Sequence, residues 1–311
     1  MNRIPLIIDC DTGTDDAICI AAALLSNERL DIRAITCVCG NVDVAKTSRN
    51  TLNIVDYLGA NIPVAVGADR PLRRKLVEAI SHGKTGLGDV SLPWSDRAFC
   101  EKPAWDVLYD NAVRAKGELE ILAVGPLTNL ARAINKYPDF VKLVKRITIM
   151  GGALVGGNMT MVSEFNIYND PDAAKIVFGA GIPLVMVGLD VTLKPKLPKR
   201  VLPTLMQIDT PHAKIVCDIL DFMVRRKDEI GGDDPNLHDV IALLAIVEPS
   251  LLTLRDYYMD VETEGEITRG MTVADVREVE NKEPNVSAAT DIDEDGFWSW
   301  FVEMFRKGEL K

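Results

Sequence analysis

The chain has few of the features that are typical of secreted proteins, membrane-spanning proteins or small proteins stabilised by zinc. Its 311 residues include six cysteines and no CxxC pair, so neither a disulfide framework nor a zinc site is expected, and we predict buried, reduced thiols. The longest apolar stretches, 17–25 and 240–247, are too short to cross a bilayer. The N-terminal segment does not fit a signal peptide. These absences predict a cytoplasmic protein with no membrane partner.

Positive charge is also scarce. Lys and Arg total 35 against 46 Asp and Glu, a formal net charge of −11, and the basic residues do not cluster. An acidic chain of this kind is a poor electrostatic partner for nucleic acid or an anionic membrane. Because 47% of the residues are hydrophobic, the chain can form a large core, which excludes disordered and collagen-like classes.

Short apolar runs alternate with helical patterns over the first two thirds of the chain. Strands are predicted at 4–8, 31–38, 62–66, 119–124, 146–150 and 182–187. Helices are predicted between them, at 15–26, 44–58, 104–115, 127–135 and 171–179. This β-α alternation predicts an α/β fold with an open, mostly parallel sheet flanked by helices.

The pattern changes beyond residue 194. Helical patterns cover 210–227, 238–247 and 297–305, and alternating runs over 257–279 predict a small antiparallel addition near the C-terminus. Since no repeat or linker interrupts the chain, we expect residues 1–311 to form a single domain.

The most informative segment is Asp9-Cys10-Asp11-Thr12-Gly13-Thr14-Asp15-Asp16. Its four carboxylates follow an apolar strand and run into a helix, where they would raise one another's pKa unless a cation balanced them. Carboxylate oxygens suit Ca²⁺ or Mg²⁺ better than zinc. The alternative is that Thr14 caps the helix and its dipole favours Asp15 and Asp16. That alternative leaves the other two carboxylates unexplained.

Other polar residues follow the ends of predicted strands. Asn41 follows the second strand, Thr128 and Asn129 follow the strand at 119–124, and Asp190 follows the last strand of the series. Turn chemistry can explain any one of them. Because the carboxyl ends of parallel strands share one edge, where ligands bind in such sheets, their joint placement predicts a site.

Two long glycine-rich loops and one helix start add further candidates. The loop at 67–100 carries His82, and the loop at 151–170 carries Asn158, Glu164 and Asn166. Loops of this length are usually functional. Amide and carboxylate side chains suit paired sugar hydroxyls, and the alternative is an Asx-type loop with a solvated Glu. His238, beside a carboxylate at a helix start, is the best acid candidate, although a helix cap also explains it.

Four motifs resemble, in order and spacing, those of the inosine–uridine-type nucleoside hydrolases. They are DCDTGTDDA (9–17), VGPLTNLA (124–131), GGNMTMVSEFNIYNDPDAA (156–174) and the His-Asp pair at 238–239. The resemblance implies an open α/β nucleoside hydrolase fold with bound Ca²⁺, and hydrolysis of ribonucleosides to base and ribose. Thr12 and Met161 stand where the family usually has proline, and neither is an implied ligand.

Carried over position by position, the resemblance assigns a role to each matching residue. The implied metal ligands are Asp11, Asp16, Asp239 and the backbone carbonyl of Thr128. The implied ribose-binding and pocket residues are Asp15, Asn41, Met150, Asn158, Glu164, Phe165 and Asn166. Asp11 would also be the general base, Asp9 would support the metal loop, and His238 would protonate the leaving base, with His82 beside it in a loop that resembles the family's flap.

Several questions stay open from the sequence. The family resemblance implies a homodimer or homotetramer and a small-molecule ribonucleoside substrate, but purine or pyrimidine preference is undetermined, as are the residues of the 210–230 helix that face the base. Alternatives are a hydrolase of a related ribosyl compound and a calcium-stabilised nucleoside-binding protein without turnover. A phosphohydrolase of the haloacid-dehalogenase type also starts with Asp-x-Asp, but it expects Thr or Val where Gly13 stands.

Overall fold

A twisted sheet of eight strands forms the centre of the computed structural model, which describes residues 3–230 and 235–308. The strands in the described chain are β1 (Ile4–Cys10), β2 (Leu30–Cys37), β3 (Val64–Val66), β4 (Leu119–Ala123), β5 (Val144–Met150), β6 (Leu184–Val187), β7 (Leu252–Tyr257), β8 (Met259–Val261), β9 (Thr272–Ala274) and β10 (Val286–Ile292). The large sheet has the order β3-β2-β1-β4-β5-β6-β10-β7, and all its neighbours are parallel except β10 and β7. The predicted open, mostly parallel sheet is confirmed.

Helices cover both faces of this sheet. The α-helices of the described residues are α1 (Thr14–Leu25), α2 (Val44–Tyr57), α3 (Ala104–Ala115), α4 (Thr128–Lys136), α5 (Phe140–Leu143), α6 (Phe165–Asn169), α7 (Pro171–Phe178), α8 (Leu189–Thr192), α9 (Val201–Leu205), α10 (Pro211–Ile230), α11 (His238–Val247) and α12 (Glu294–Arg306). One core cluster includes residues of α1, α10, α11 and α12, and the other includes residues of α3, α4 and α7. The sheet therefore has an apolar layer on each side.

The C-terminal part differs from its prediction. The alternating residues over 257–279 form an antiparallel pair, β8 and β9, as expected. However, β10 was not predicted, and it inserts into the large sheet between β6 and β7. Its sequence, VSAATDI, mixes small and polar residues, so it lacks the apolar run that identified the earlier buried strands.

The two apolar stretches that are too short for a bilayer form the buried helices α1 and α11. Residues from Thr14 to Leu24 and from Asp239 to Val247 are buried, and the two helices pack against each other. A helix that is apolar on all sides belongs inside a large core. Their first turns, which carry acidic side chains, therefore start from inside the protein.

The remaining sequence predictions can be compared directly with the structure. All six cysteines are free, and five are buried while Cys100 is partly exposed, so the predicted burial holds for five of them. Across residues 3–230 and 235–308, none of the helices combines the length and apolar character that a membrane span requires.

Helix α12 provides a stability prediction. Phe301 is fully buried and contacts Trp298 and Phe305 edge-to-face, with ring centroids 5.7 and 5.0 Å away. We expect Phe301→Ala to lower the free energy of unfolding by about 3–5 kcal/mol, because it opens a cavity in the core. Urea denaturation measures this change. Exposed Glu303 on the same helix is the control, and Glu303→Ala should change stability by no more than about 0.5 kcal/mol. Similar values for both variants would contradict the core assignment.

Candidate active site

A cavity of about 650 Å³ lies at the carboxyl edge of the large sheet. Val124 follows β4 and Met150 ends β5, and both line it. Ten of the residues proposed from the sequence line the cavity: Asp15, Asn41, His82, Met150, Asn158, Glu164, Phe165, Asn166, His238 and Asp239. Of the residues grouped by the strand-end argument, Asn41 lines the cavity, whereas Thr128, Asn129 and Asp190 do not.

Acidic side chains from two buried helices meet at one end of this cavity. Carboxylate oxygens of Asp15, Asp16 and Asp239 lie within 4.8 Å of one another. The chain turns from β1 into α1 within three residues, and Asp16 stabilises this turn by accepting hydrogen bonds from the backbone N–H groups of Asp11 and Gly13, at 3.2 and 2.9 Å. The helix-cap alternative is wrong about Thr14, because Gly13 is the N-cap and Thr14 is the first residue of α1. Asp15 and Asp16 do lie in the first turn, but the helix start does not balance the charge of the group.

Asp11 adjoins this acidic group in a tightly enclosed position. Its Oδ2 accepts a hydrogen bond from the backbone N–H of Asn41 at 2.7 Å, while its Oδ1 is buried without a hydrogen-bond partner. A Cβ atom on Gly40 would lie 1.9 Å from Oδ2, and one on Gly125 would lie 2.8 Å from Oδ1. The two glycines therefore make room for the carboxylate, and its unpartnered oxygen suits a cation.

Burial dominates the electrostatics of the group. It raises the pKa of Asp16 to about 7, with Asp15 as the next cause. Burial also raises the pKa of Asp11 and Asp239 well above the usual range, and the next causes are Asp16 for Asp11 and Asp15 for Asp239. Such carboxylates lose their charge unless a cation compensates it. Their oxygen donors fit a hard divalent ion, Ca²⁺ or Mg²⁺.

Asp9 is fully buried and ties β1 to its neighbours. It accepts hydrogen bonds from the hydroxyl of Thr36 at 2.5 Å and from the side-chain amide of Asn129 at 2.8 Å. Burial raises the pKa of Asp9 to about 7, although both hydrogen bonds lower it. These contacts suit the predicted supporting role.

Thr128 departs from the predicted ligand set because it does not line the cavity. It is the first residue of α4, so its carbonyl points along the helix axis toward the C-terminal end of α4, and its hydroxyl donates to Asp170 at 2.7 Å. Val124, four residues earlier, lines the cavity and its carbonyl accepts a hydrogen bond from the Asn166 side chain at 2.8 Å. We therefore correct the backbone candidate from Thr128 to Val124.

Glu164 is the central residue of another part of the cavity lining. This buried carboxylate caps α6, accepting from the backbone N–H groups of Gly152, Asn166 and Ile167 at 2.9–3.2 Å. Burial raises the pKa of Glu164 to about 7, and these hydrogen bonds oppose the shift. Asn158 accepts from the backbone N–H of Phe165 at 2.9 Å. The alternative of an Asx-type loop with a solvated Glu is wrong, because Glu164 is buried and Asn158 bonds to a residue seven positions away. Both side chains line the cavity.

Two of the three histidines face the cavity. Nδ1 of His82 accepts from the backbone N–H of Thr14 at 3.1 Å and lies 2.8 Å from its hydroxyl. Since a backbone N–H only donates, the ring proton of neutral His82 is on Nε2. Nδ1 of His238 lies 2.8 Å from the hydroxyl of Thr192. Burial lowers the pKa of both rings. His212 is buried outside the cavity lining.

The sequence did not identify one side of the cavity. Helix α10 contributes Met223, Arg226 and Lys227, and residues 77–81 contribute a backbone wall. The helix was predicted, but its lining face was not, because its polar residues show no pattern that separates cavity from solvent. Arg226 also donates to the carbonyl of Ile80 at 3.2 Å, which links the helix to the wall.

Comparisons with known proteins agree with this geometry. A sequence model of the family described as inosine-uridine preferring nucleoside hydrolase matches residues 6–299. A pyrimidine-specific ribonucleoside hydrolase RihA from Citrobacter koseri is 41% identical over 304 residues, covering 96% of this chain and 97% of that protein. A RihA from Escherichia coli O81 is 40% identical over 298 residues, covering 94% and 96%.

Solved structures share the fold. The purine-preferring ribonucleoside hydrolase from Gardnerella vaginalis has a TM-score of 0.90 and 34% identity, covering 97% of this chain and 98% of that one. The plant nucleoside hydrolase PpNRh1 has a TM-score of 0.91 and 34% identity, with coverage of 98% and 99%.

The close approach at Gly40 gives a prediction for cation binding. We expect Gly40→Ala to weaken Ca²⁺ binding by about 10- to 100-fold or more, because the added Cβ displaces Asp11. Isothermal titration calorimetry measures the affinity. Gly179→Ala is the control, since its Cβ would lie 3.3 Å from its nearest neighbour, at the end of α7. Unchanged affinity in Gly40→Ala would show that the ion does not need Asp11 in this position.

Proposed function

Because this chain belongs to the inosine-uridine preferring nucleoside hydrolase family and is therefore an N-glycosyl hydrolase, we propose that it cleaves ribonucleosides to free base and ribose with the help of Ca²⁺. The observation that carries the proposal is the cavity itself: buried carboxylates at one end face a wall of Glu164 and Asn166. Oxygen-rich groups of this kind match the paired hydroxyls of a ribose.

The proposed ion-binding residues are Asp11, Asp16, Asp239 and the carbonyl of Val124. The unpartnered Oδ1 of Asp11 and the mutual proximity of Asp16 and Asp239 support this set. When bound, Ca²⁺ would neutralise the carboxylates and lower the pKa of a nearby water. Asp15, Asn41, Asn158, Glu164 and Asn166 would bind the ribose, with Met150 and Phe165 lining its pocket.

Asp11 would act as general base. Its Oδ1 is the group that takes the proton from the attacking water, within hydrogen-bond reach. Bond cleavage passes through an oxocarbenium-like sugar, as in glycoside hydrolysis, and the surrounding carboxylates stabilise its positive charge. Ribose is preferred over 2′-deoxyribose, because a missing hydroxyl would leave buried polar groups unpaired.

His238 would donate a proton to the departing base. The ring must then be an imidazolium, in which Nδ1 donates to the Thr192 hydroxyl 2.8 Å away and the Nε2 proton goes to the base, leaving a neutral ring. His82, fixed by Thr14 with its proton on Nε2, would border the base on the flap side. Burial lowers the pKa of His238, and the charge of Asp15 raises it toward the protonated form that the acid role requires.

Among ribonucleosides, we propose that pyrimidine ribonucleosides are the preferred substrates. The two relatives at about 40% identity are named pyrimidine-specific, whereas the Gardnerella vaginalis enzyme at 34% identity is named purine-preferring. A homodimer or homotetramer stays a prediction from the family resemblance.

The direct test is ribose release by the purified protein from uridine, cytidine, inosine and adenosine, with and without phosphate. We expect phosphate-independent release, fastest from the pyrimidine nucleosides, lost on chelation and restored by Ca²⁺. Asp11→Ala should abolish it, because a metal ligand and the base are removed together. Absence of release from all four nucleosides in Ca²⁺ would favour another ribosyl substrate or a binding role.

The assignment of His238 predicts a leaving-group effect. We expect His238→Ala to lower kcat/KM for uridine by about 100-fold or more, and for 4-nitrophenyl riboside only a few-fold, since nitrophenolate leaves without a proton. Steady-state kinetics on both substrates measures this difference. His212→Ala, at a buried histidine that does not line the cavity, should change neither ratio. Equal losses on both substrates in His238→Ala would rule out the acid role.

A further inference from the structure

The cavity wall formed by residues 77–82, here called the flap wall, has little support from secondary structure. No helix or strand occurs between Val66 and Ala104. All six flap-wall residues line the cavity, and Glu78, Ile80 and Ser81 are also exposed to solvent. A thin segment of this kind opens locally at low energetic cost unless specific contacts hold it.

Residues outside the loop at 67–100 hydrogen-bond to the flap wall near its start, its middle and its end. One of them, Arg226, donates to the carbonyl of Ile80 at 3.2 Å. At the end of the flap wall, Thr14 hydrogen-bonds to His82. In the middle, the backbone N–H of Ala79 donates to the carbonyl of Asn41 at 3.1 Å. At its start, Asn169 binds Val77 in both directions: its Oδ1 accepts from the Val77 N–H at 2.9 Å and its Nδ2 donates to the Val77 carbonyl at 3.2 Å.

Asn169 differs from Thr14, Asn41 and Arg226 because it does not line the cavity. It is the last residue of α6 and is 1% exposed, and it is not among the lining residues. Its Nδ2 also lies 3.4 Å from the carbonyl of Phe165, and Phe165 is a cavity-lining residue. One amide side chain therefore connects the flap wall to the ribose-side wall.

We propose that Asn169 is a positioning residue that holds the flap wall in its substrate-binding arrangement by bridging Val77 and Phe165. It contacts no substrate and acts through two backbone segments that do. The inference rests on the proposed function, since the affected step is the binding of a ribonucleoside. Loss of this bridge lowers the fraction of molecules in which the cavity is formed. The apparent affinity for the ribonucleoside then falls, while the catalytic groups stay unchanged.

A purely structural function for Asn169 makes a different prediction, and Asn285 supplies the matched control. Asn285 binds the backbone of Met259 in the same two-way manner, with its Oδ1 accepting at 2.7 Å and its Nδ2 donating at 2.9 Å, and its Nδ2 also donates to the carbonyl of Phe178. None of these three residues lines the cavity. Removing either side chain costs hydrogen bonds, but only Asn169 reaches the flap wall.

The test compares Asn169→Leu with Asn285→Leu in the Ca²⁺-loaded full chain. Hydrogen–deuterium exchange by mass spectrometry should show amides of residues 77–82 exchanging about tenfold faster in Asn169→Leu, the effect expected from two lost hydrogen bonds. Its KM for uridine should rise about tenfold while kcat changes less than about threefold. Asn285→Leu should lose thermal stability but change neither exchange at 77–82 nor KM.

A second variant guards against misfolding of Asn169→Leu. Asn169→Asp retains the size of the side chain and an acceptor for the Val77 N–H, but its second oxygen repels the Val77 carbonyl, so exchange and KM should rise in this variant as well. Wild-type exchange at 77–82 in both Asn169 variants would overturn the proposal, as would KM changes that Asn285→Leu reproduces. If the wild type releases no ribose from any nucleoside, the proposed function fails, while the exchange comparison still decides whether Asn169 holds the flap wall.

Discussion

The burial of several carboxylates at the start of two apolar helices is the constraint on which the site depends. Asp11, Asp16 and Asp239 are each at most 2% exposed, and their mutual repulsion adds to the cost of burial. Only a strongly compensating partner lets such a group stay ionised. The fold accepts this because α1 and α11 are apolar enough to be held in the core by packing alone, so their first turns can carry charge.

The sequence predicted the parts of the site that are formed by side chains of a distinctive residue type. It could not predict the parts that are formed by backbone groups. The acidic segment 9–16 could be identified from the sequence because carboxylates are rare directly after a buried strand. The backbone ligand that the resemblance implied at Thr128 could not be checked from the sequence, because a carbonyl has no residue type of its own. In the structure Val124 occupies the strand end, and the chain reaches Thr128 only after turning into α4. A shift of four residues along a loop changes which carbonyl faces the cavity.

The fold was predictable to a similar extent. Parallel strands buried on both faces are continuous apolar runs, which is why the series from β1 to β6 was found. Strand β10 was missed because small residues such as Ala288 and Ala289 pack between neighbours without an apolar run. The lining face of α10 was equally hidden, since Arg226 belongs to the cavity while the adjacent Arg225 pairs with Asp89 and Asp221. Only the rotation of the helix distinguishes them.

Asn41 connects the two halves of the site. Its backbone N–H donates to Asp11, its side-chain amide donates to Asp16 at 3.1 Å, and its carbonyl accepts from Ala79 of the flap wall. Asn41 therefore donates hydrogen bonds to the acidic group and accepts one from the flap wall. The position of Ala79 relative to the carboxylates therefore depends on a single residue, and the flap wall is held by both Asn41 and Asn169.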